Sequence, residues 1–188
     1  FDEDGWADLI DDFIQDATQW SDSDEDGYGD NQDGNNPDDC VDVSGNSTED
    51  RTGCLDSDGD GYSNPDNMWK VSMGADAFED EPTQWSDIDG DGYGDNFDGL
   101  NFDLCPNVAG TSTIDRMGCK DSDNDGYSDE DPGSSWTVKL WDSIDIGPDE
   151  FPYDSTQWRD TDGDLFGDNW GNPEWNETRE EDWPGIFI

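Results

Sequence analysis

Hydrophobic positions are sparse along this chain, and only one stretch spaces them as a packed element requires. Between Trp6 and Ala17 the apolar residues Trp6, Leu9, Ile10, Phe13, Ile14 and Ala17 fall at helical intervals, which predicts one amphipathic N-terminal helix. The spacers Trp69-Lys-Val-Ser and Trp136-Thr-Val-Lys-Leu-Trp141 predict short strands, limited by the charge and glycine around them. Elsewhere Gly, Pro, Asn and Asp interrupt every run, so loops are expected.

The aromatic residues follow a longer period. Thr-Gln-Trp occurs at 18–20, 83–85 and 156–158, each with a phenylalanine seven residues before the tryptophan: Phe13, Phe78 and Phe151. Laying Trp20 on Trp85 also superposes Tyr28 on Tyr93, Cys40 on Cys105, Cys54 on Cys119 and Asp56 on Asp121, so the chain is an internal repeat. The expected organisation is an incomplete loop and helix over 1–19, a first repeat over 20–84, a second over 85–157, and a partial third over 158–188. That last segment ends in the apolar run Trp183-Pro-Gly-Ile-Phe-Ile188. Packing on neighbouring loops is the expected role of the tryptophans; stacking on carbohydrate is the alternative.

The polar pattern carries the chemistry. Asp-x-Asp-x-Asp-Gly begins at Asp22, Asp56, Asp87 and Asp121, and a variant begins at Asp160. A hard divalent cation takes six to eight oxygens at about 2.3–2.6 Å, and carboxylates at loop positions 1, 3 and 5, a carbonyl at 7 and further oxygens at 9 and 12 supply them. Two loops match every position: Asp22, Asp24, Asp26, the Tyr28 carbonyl, Asp30 and Asp33; then Asp87, Asp89, Asp91, the Tyr93 carbonyl, Asp95 and Asp98. In two others, Asp56, Asp58, Asp60 and Tyr62 are followed by Asn64, and Asp121, Asp123, Asp125 and Tyr127 by Asp129. There Asp66 or Asp131, at position 11, is the candidate to close the site. The last loop offers Asp160, Asp162, Asp164, the Phe166 carbonyl and Asp168, but Leu165 replaces the glycine and Gly171 stands at position 12, which predicts weaker binding or a borrowed ligand. Asp2, Asp4, Trp6, Asp8 and Asp11 fit positions 3, 5, 7, 9 and 12 of a loop whose first residue would precede Phe1.

Charge sharpens this reading. Fifty-three acidic residues face seven basic ones, for a formal charge of −46, a self-repulsion that predicts a cation-dependent fold. Without a basic patch, nucleic acid and anionic membranes are not expected partners, and no apolar run is long enough to insert in a bilayer. Low hydrophobicity with high charge predicts disorder for the cation-free chain. With 29% apolar residues, ions, disulfides and small aromatic clusters would replace a large core in an elongated shape.

The four cysteines, Cys40, Cys54, Cys105 and Cys119, form two pairs with the same fourteen-residue separation. Two local disulfides are the expected reading, with zinc the competitor; the absence of histidine and of Cys-x-x-Cys argues against zinc. Disulfides beside calcium loops predict an extracellular or cell-surface location. No signal peptide is visible at Phe1, so the chain reads as mature or excerpted. Asn46-Ser-Thr and Asn176-Glu-Thr are glycosylation acceptor patterns.

These residues resemble the thrombospondin type 3 repeats and related calcium-binding repeats of secreted surface proteins. The resemblance rests on Asp22 to Asp33, on Asp87 to Asp98, and on Cys105-Pro-Asn-Val-Ala-Gly-Thr followed by Asp115-Arg-Met-Gly-Cys119-x-Asp121. It covers roughly residues 20 to 170. It implies a mostly irregular chain wrapped around several calcium ions, with almost no hydrophobic core, serving as a structural or adhesive spacer. An EF-hand shares the loop spacing, but it needs a helix on both flanks and these flanks are broken. With no histidine, Ser-His-Asp chemistry is excluded. A carboxylate pair for glycoside hydrolysis stays open among 53 acidic residues, although the sequence suggests no deep apolar pocket to raise a carboxyl pKa.

The expected function is therefore a non-enzymatic calcium-binding structural protein, a stiff spacer or a subunit of a surface filament joined head to tail through its chain ends. The alternatives are a module binding glycans or surface proteins, and a calcium-binding linker of a larger secreted enzyme.

Overall fold

The computed structural model describes residues 5–7, 9–132, 137–139, 145–161, 163, 165, 167 and 168. Regular structure among them is almost nil: a three-residue 3₁₀ turn at Val71–Met73, and strands β1 (Val138–Lys139) and β2 (Asp145–Ile146). The two strands pair antiparallel, Val138 opposite Ile146 and Lys139 opposite Asp145. The chain divides into two compact units, one formed by residues 1–87 and 98–100 and the other by residues 88–97 and 101–188.

The expected N-terminal helix is absent. Residues 9–19 form successive turns, closed by Ile10 N–H to Ala7 O, Asp16 N–H to Phe13 O and Gln19 N–H to Asp16 O. The aspartates defeat the helix. Asp11 Oδ1 accepts the Phe13 amide and Asp16 Oδ1 accepts both the amide and hydroxyl of Thr18, offering the backbone local partners in place of a helical ladder. The apolar stripe has no floor to lie on either: Leu9 is 95% exposed and Ile10 64%. In the first spacer Val71–Met73 turns instead of extending, and Gly74, at φ 114°, closes the turn with its amide on Val71 O. In the second spacer Val138–Lys139 does form a strand.

What replaces a hydrophobic core is a polar one. The only buried apolar side chains among the described residues are Cys54, Cys119 and Ala75, whereas Gln19, Gln84, Gln157 and a series of aspartates and serines are buried. Burying such groups is tolerable only if they are bonded. Gln19 donates to the carbonyls of Asn31 and Asn35 at 3.0 Å and accepts the Asn31 amide, so the segment 31–35 is wound around one amide side chain. Gly34 lies so close that a Cβ there would sit 2.4 Å from Thr18 O and 2.5 Å from Gln19 Nε2. Ser47 and Ser112 repeat this device at the cysteines, their hydroxyls accepting the amides of Cys54 and Cys119.

Cys40–Cys54 and Cys105–Cys119 are disulfides, as the spacing predicts. Each closes a fourteen-residue separation, for which chain entropy gives about 3 kcal/mol. No helix of the described residues is long and apolar enough to cross a membrane.

Candidate metal centre

Each repeat has a leading loop, starting at Asp22 or Asp87, and a trailing loop, starting at Asp56 or Asp121. In the loops that start at Asp22, Asp56 and Asp121 the backbone curls around the first aspartate. Asp22 accepts the amides of Asp26 and Gly27, Asp56 those of Gly59 and Gly61, and Asp121 those of Asn124 and Gly126. Gly27, Gly61 and Gly126 hold φ between 97° and 99°, the left-handed conformation that makes glycine the natural residue at position 6. In the last loop Asp160 takes the amides of Gly163 and Leu165, and Leu165 adopts φ 73° in the glycine's place.

This curl converges the carboxylates. Asp22, Asp24 and Asp26, then Asp56, Asp58 and Asp60, then Asp121, Asp123 and Asp125, each place one oxygen within 4.8 Å of the others. That is the spacing at which one cation can touch all three. The boundary between the two units falls after Asp87, so Asp89 and Asp91 of that loop belong to the second unit. None of the backbone hydrogen bonds between described residues ends on the carbonyls of Tyr28, Tyr62, Tyr93 or Tyr127, leaving position 7 open to ligation.

A further carboxylate joins each loop from beyond position 12. Asp38, Asp76, Asp103 and Asp149 are all at most 5% exposed, and in each Oδ1 accepts the amide two residues on, that of Cys40, Phe78, Cys105 or Phe151. Asp38 Oδ1 and Asp26 Oδ2 both come within 3.3 Å of the Cβ position of Gly53, so the late aspartate reaches the loop that begins at Asp22. No donor reaches the other oxygen of these four residues, nor either oxygen of Asp24, nor Oδ2 of Asp58, Asp60, Asp123 and Asp125, although all are buried. Neutral protein rarely leaves such atoms orphaned.

The electrostatics agree. Burial, followed by repulsion from neighbouring loop carboxylates, pushes Asp38 and Asp103 up to about 6 and Asp76, Asp125 and Asp149 up to about 7. Amide hydrogen bonds oppose the rise without cancelling it. The donor set is entirely oxygen and strongly anionic, which suits a hard cation and not a soft one.

Other sequence candidates have different work. Position 9 is a staple: Asp30 accepts from the hydroxyls of Ser21 and Ser23 and the Ser23 amide, Asp129 from Ser122 and Lys120, and Asp168 from Thr161. Asn64 Oδ1 and Asp95 Oδ2 likewise accept the amides of Ser57 and Ile88. Asp33 and Asp98, expected at position 12, are exposed; Asp38 and Asp103 are the carboxylates buried beside those loops.

Asp66 and Asp131 are each paired with an arginine. Asp66 pairs with Arg51 at 2.8 Å and accepts the amides of Trp69 and Met68, which hold it down to about 2. Asp131 grips Arg116 through both oxygens. Each arginine also donates to Ser63 or Ser128, so a cation of the chain itself occupies the carboxylate. Asp11 is buried and bonds the Phe13 amide as Asp76 bonds that of Phe78. Asp2, Asp4, Asp8, Asp162, Asp164, Phe166 and Asn176 lie outside the described residues. Asn46 is exposed within the first disulfide loop.

The late aspartates escaped a fixed twelve-residue template because insertions precede them. Asp38 follows Asp22 by sixteen residues, Asp76 follows Asp56 by twenty and Asp149 follows Asp121 by twenty-eight. The signal that finds them is what comes after: Asp-x-Cys in leading loops and Asp-x-Phe in trailing ones. No protein-family model matches the chain, and no curated protein matches it.

Proposed function

We propose that this is an extracellular calcium-binding structural protein in which the ion is a folding agent, and that it serves as a spacer or as a head-to-tail filament subunit. The observation that carries the reading is the recurrence, at Asp38, Asp76, Asp103 and Asp149, of a buried carboxylate whose Oδ1 accepts the amide two residues on and whose Oδ2 lacks any donor. A bound divalent cation would supply the positive charge and the missing coordination partner at each loop. Asp22, Asp24, Asp26 and Asp38 would hold one ion, Asp56, Asp58, Asp60 and Asp76 a second, Asp89, Asp91 and Asp103 a third, and Asp121, Asp123, Asp125 and Asp149 a fourth. Position 7 carbonyls complete each set. Asp160 would begin a further, weaker site.

Two disulfides point to an oxidising environment. The sequence has no histidine, and we read the chain as non-enzymatic. Thrombospondin type 3-like wrapping accounts for the irregular backbone and polar interior. The tryptophans of Thr-Gln-Trp favour a packing role over a carbohydrate platform, since Trp85 and Trp158 stack on Tyr62 and Tyr127.

Equilibrium calcium binding measured by isothermal titration, with magnesium as comparison, tests the first half. At least four calcium ions per chain are expected, and fewer than two would defeat the reading. Electron microscopy with millimolar calcium and then with chelator tests the second half. Fibres that dissolve on chelation are the filament outcome, and single particles under both conditions would leave the spacer role only.

A further inference from the structure

The tyrosine at position 7 of each trailing loop stacks on the tryptophan of the next Thr-Gln-Trp. Tyr62 and Trp85 lie with ring centroids 5.0 Å apart and planes 4° from parallel; Tyr127 and Trp158 lie 4.9 Å apart at 10°. Trp6, which occupies the corresponding place ahead of Asp11, stacks on Trp20 at 6.1 Å and 7°. Each tryptophan is also bonded through its own backbone. Trp85 O accepts the amide of Ala77 at 3.0 Å, Trp158 O that of Glu150 at 3.3 Å and Trp20 O that of Asp12 at 3.4 Å. Ala77, Glu150 and Asp12 are the residues immediately after Asp76, Asp149 and Asp11.

A continuous path thus runs from the loop's tyrosine ring to the tryptophan ring, through its carbonyl, to the amide beside the late aspartate. We infer that Trp85 and Trp158 are positioning residues for ion binding, holding Asp76 and Asp149 against loops from which long spacers separate them. The need is entropic: closing a longer connection costs more than closing a short one, and neither Asp76 nor Asp149 has a cysteine two residues on to anchor it, as Asp38 and Asp103 have.

This inference rests on the calcium reading, and one titration separates the two. The Gly126 amide donates to Asp121 and the Gly27 amide to Asp22, so their resonances report a trailing and a leading loop in the same intact chain. Trp158→Leu keeps an apolar side chain but removes the stack, whereas Trp158→Phe keeps a ring. The calcium midpoint at Gly126 should weaken roughly threefold to tenfold in Trp158→Leu, the range an aromatic pair supplies. It should recover in Trp158→Phe, with Gly27 unchanged in both. A Gly126 midpoint in Trp158→Leu equal to that of the unaltered chain would overturn the inference. No calcium-dependent shift at Gly126 in the unaltered chain would instead overturn the calcium reading itself.

Discussion

The leading loop at Asp22 and the trailing loop at Asp56 share one sequence pattern yet are secured by different forces. Around Asp22, the late aspartate Asp38 stands two residues before Cys40, and the disulfide to Cys54 fixes its approach. Asp26 Oδ2 already accepts the Gly45 amide, and Gln19 winds the inserted segment. Around Asp56 there is no such covalent anchor beside Asp76. Asp60 Oδ2 has no donor, Asp76 is raised to about 7 against about 6 for Asp38, and the spacer is tied down by Arg51, Asp66 and Trp69. Identical ligand spacing therefore does not mean equal dependence on the ion. The leading loop has more bonds of its own, so under the proposed reading the trailing loop should depend more heavily on the cation.

Removing the late carboxylate should have the largest effect. Asp76→Ala deletes a buried anionic ligand, and calcium affinity at the Asp56 loop should fall at least about tenfold to a hundredfold, following the strength of charge-assisted bonds. In chelator the sign should reverse, because Asp76→Asn relieves repulsion and would raise the stability of the ion-free chain in thermal melts.

Reduction of the disulfides distinguishes the loop types in the opposite direction. It should cost about 3 kcal/mol per bridge and loosen the Asp22 loop, read at Gly27, more than the Asp56 loop, read at Gly61. Gln19→Ala strips three hydrogen bonds from residues 31–35 and should lower local stability by about 2–3 kcal/mol, measured as faster exchange of the Asn31 amide.

Acidification sharpens the same contrast. Asp76 and Asp149, raised to about 7 by burial, and Asp38 and Asp103, raised to about 6, bind protons more readily folded than unfolded. In the ion-free chain these groups contribute stability below about pH 4 that is lost as pH rises through 6 and 7. Protons compete with the cation, so calcium binding should weaken as pH falls below 7, at the trailing loops before the leading ones, in titrations between pH 5 and 8. The smallest effect belongs to Arg51→Lys. Asp66 is exposed, so losing the paired geometry and the contact with Trp69 at 5.6 Å should cost no more than about 1 kcal/mol in a melt.

The comparison also explains what could be read in advance. The convergence of carboxylates at positions 1, 3 and 5 and the two disulfides are legible in the sequence because each is set within a few residues or by a repeated interval. Asp38 and Asp103 escape a rigid twelve-residue template because it ignores insertions, and the tie that brings each to its loop is made through space. The helix over Trp6 to Ala17 failed for a local reason: Asp11 and Asp16 bond their own downstream amides, which outweighs hydrophobic spacing with no core to face. The burial of Gln19 and Gln84 is not read from the recurring Thr-Gln-Trp, because glutamine is ordinarily a surface residue. Asp66 and Asp131 were drawn away by Arg51 and Arg116, residues twelve or more positions earlier.

The most direct test is near-ultraviolet circular dichroism with amide hydrogen exchange on the oxidised chain, in millimolar calcium and after chelation. Loss of the stacked Tyr–Trp signal and of protection at Gly61 and Gly126, with protection at Cys54 and Cys119 declining least, is the predicted result. An unchanged spectrum and unchanged exchange at every loop after the cation is removed would contradict the claim that the ion holds this fold together.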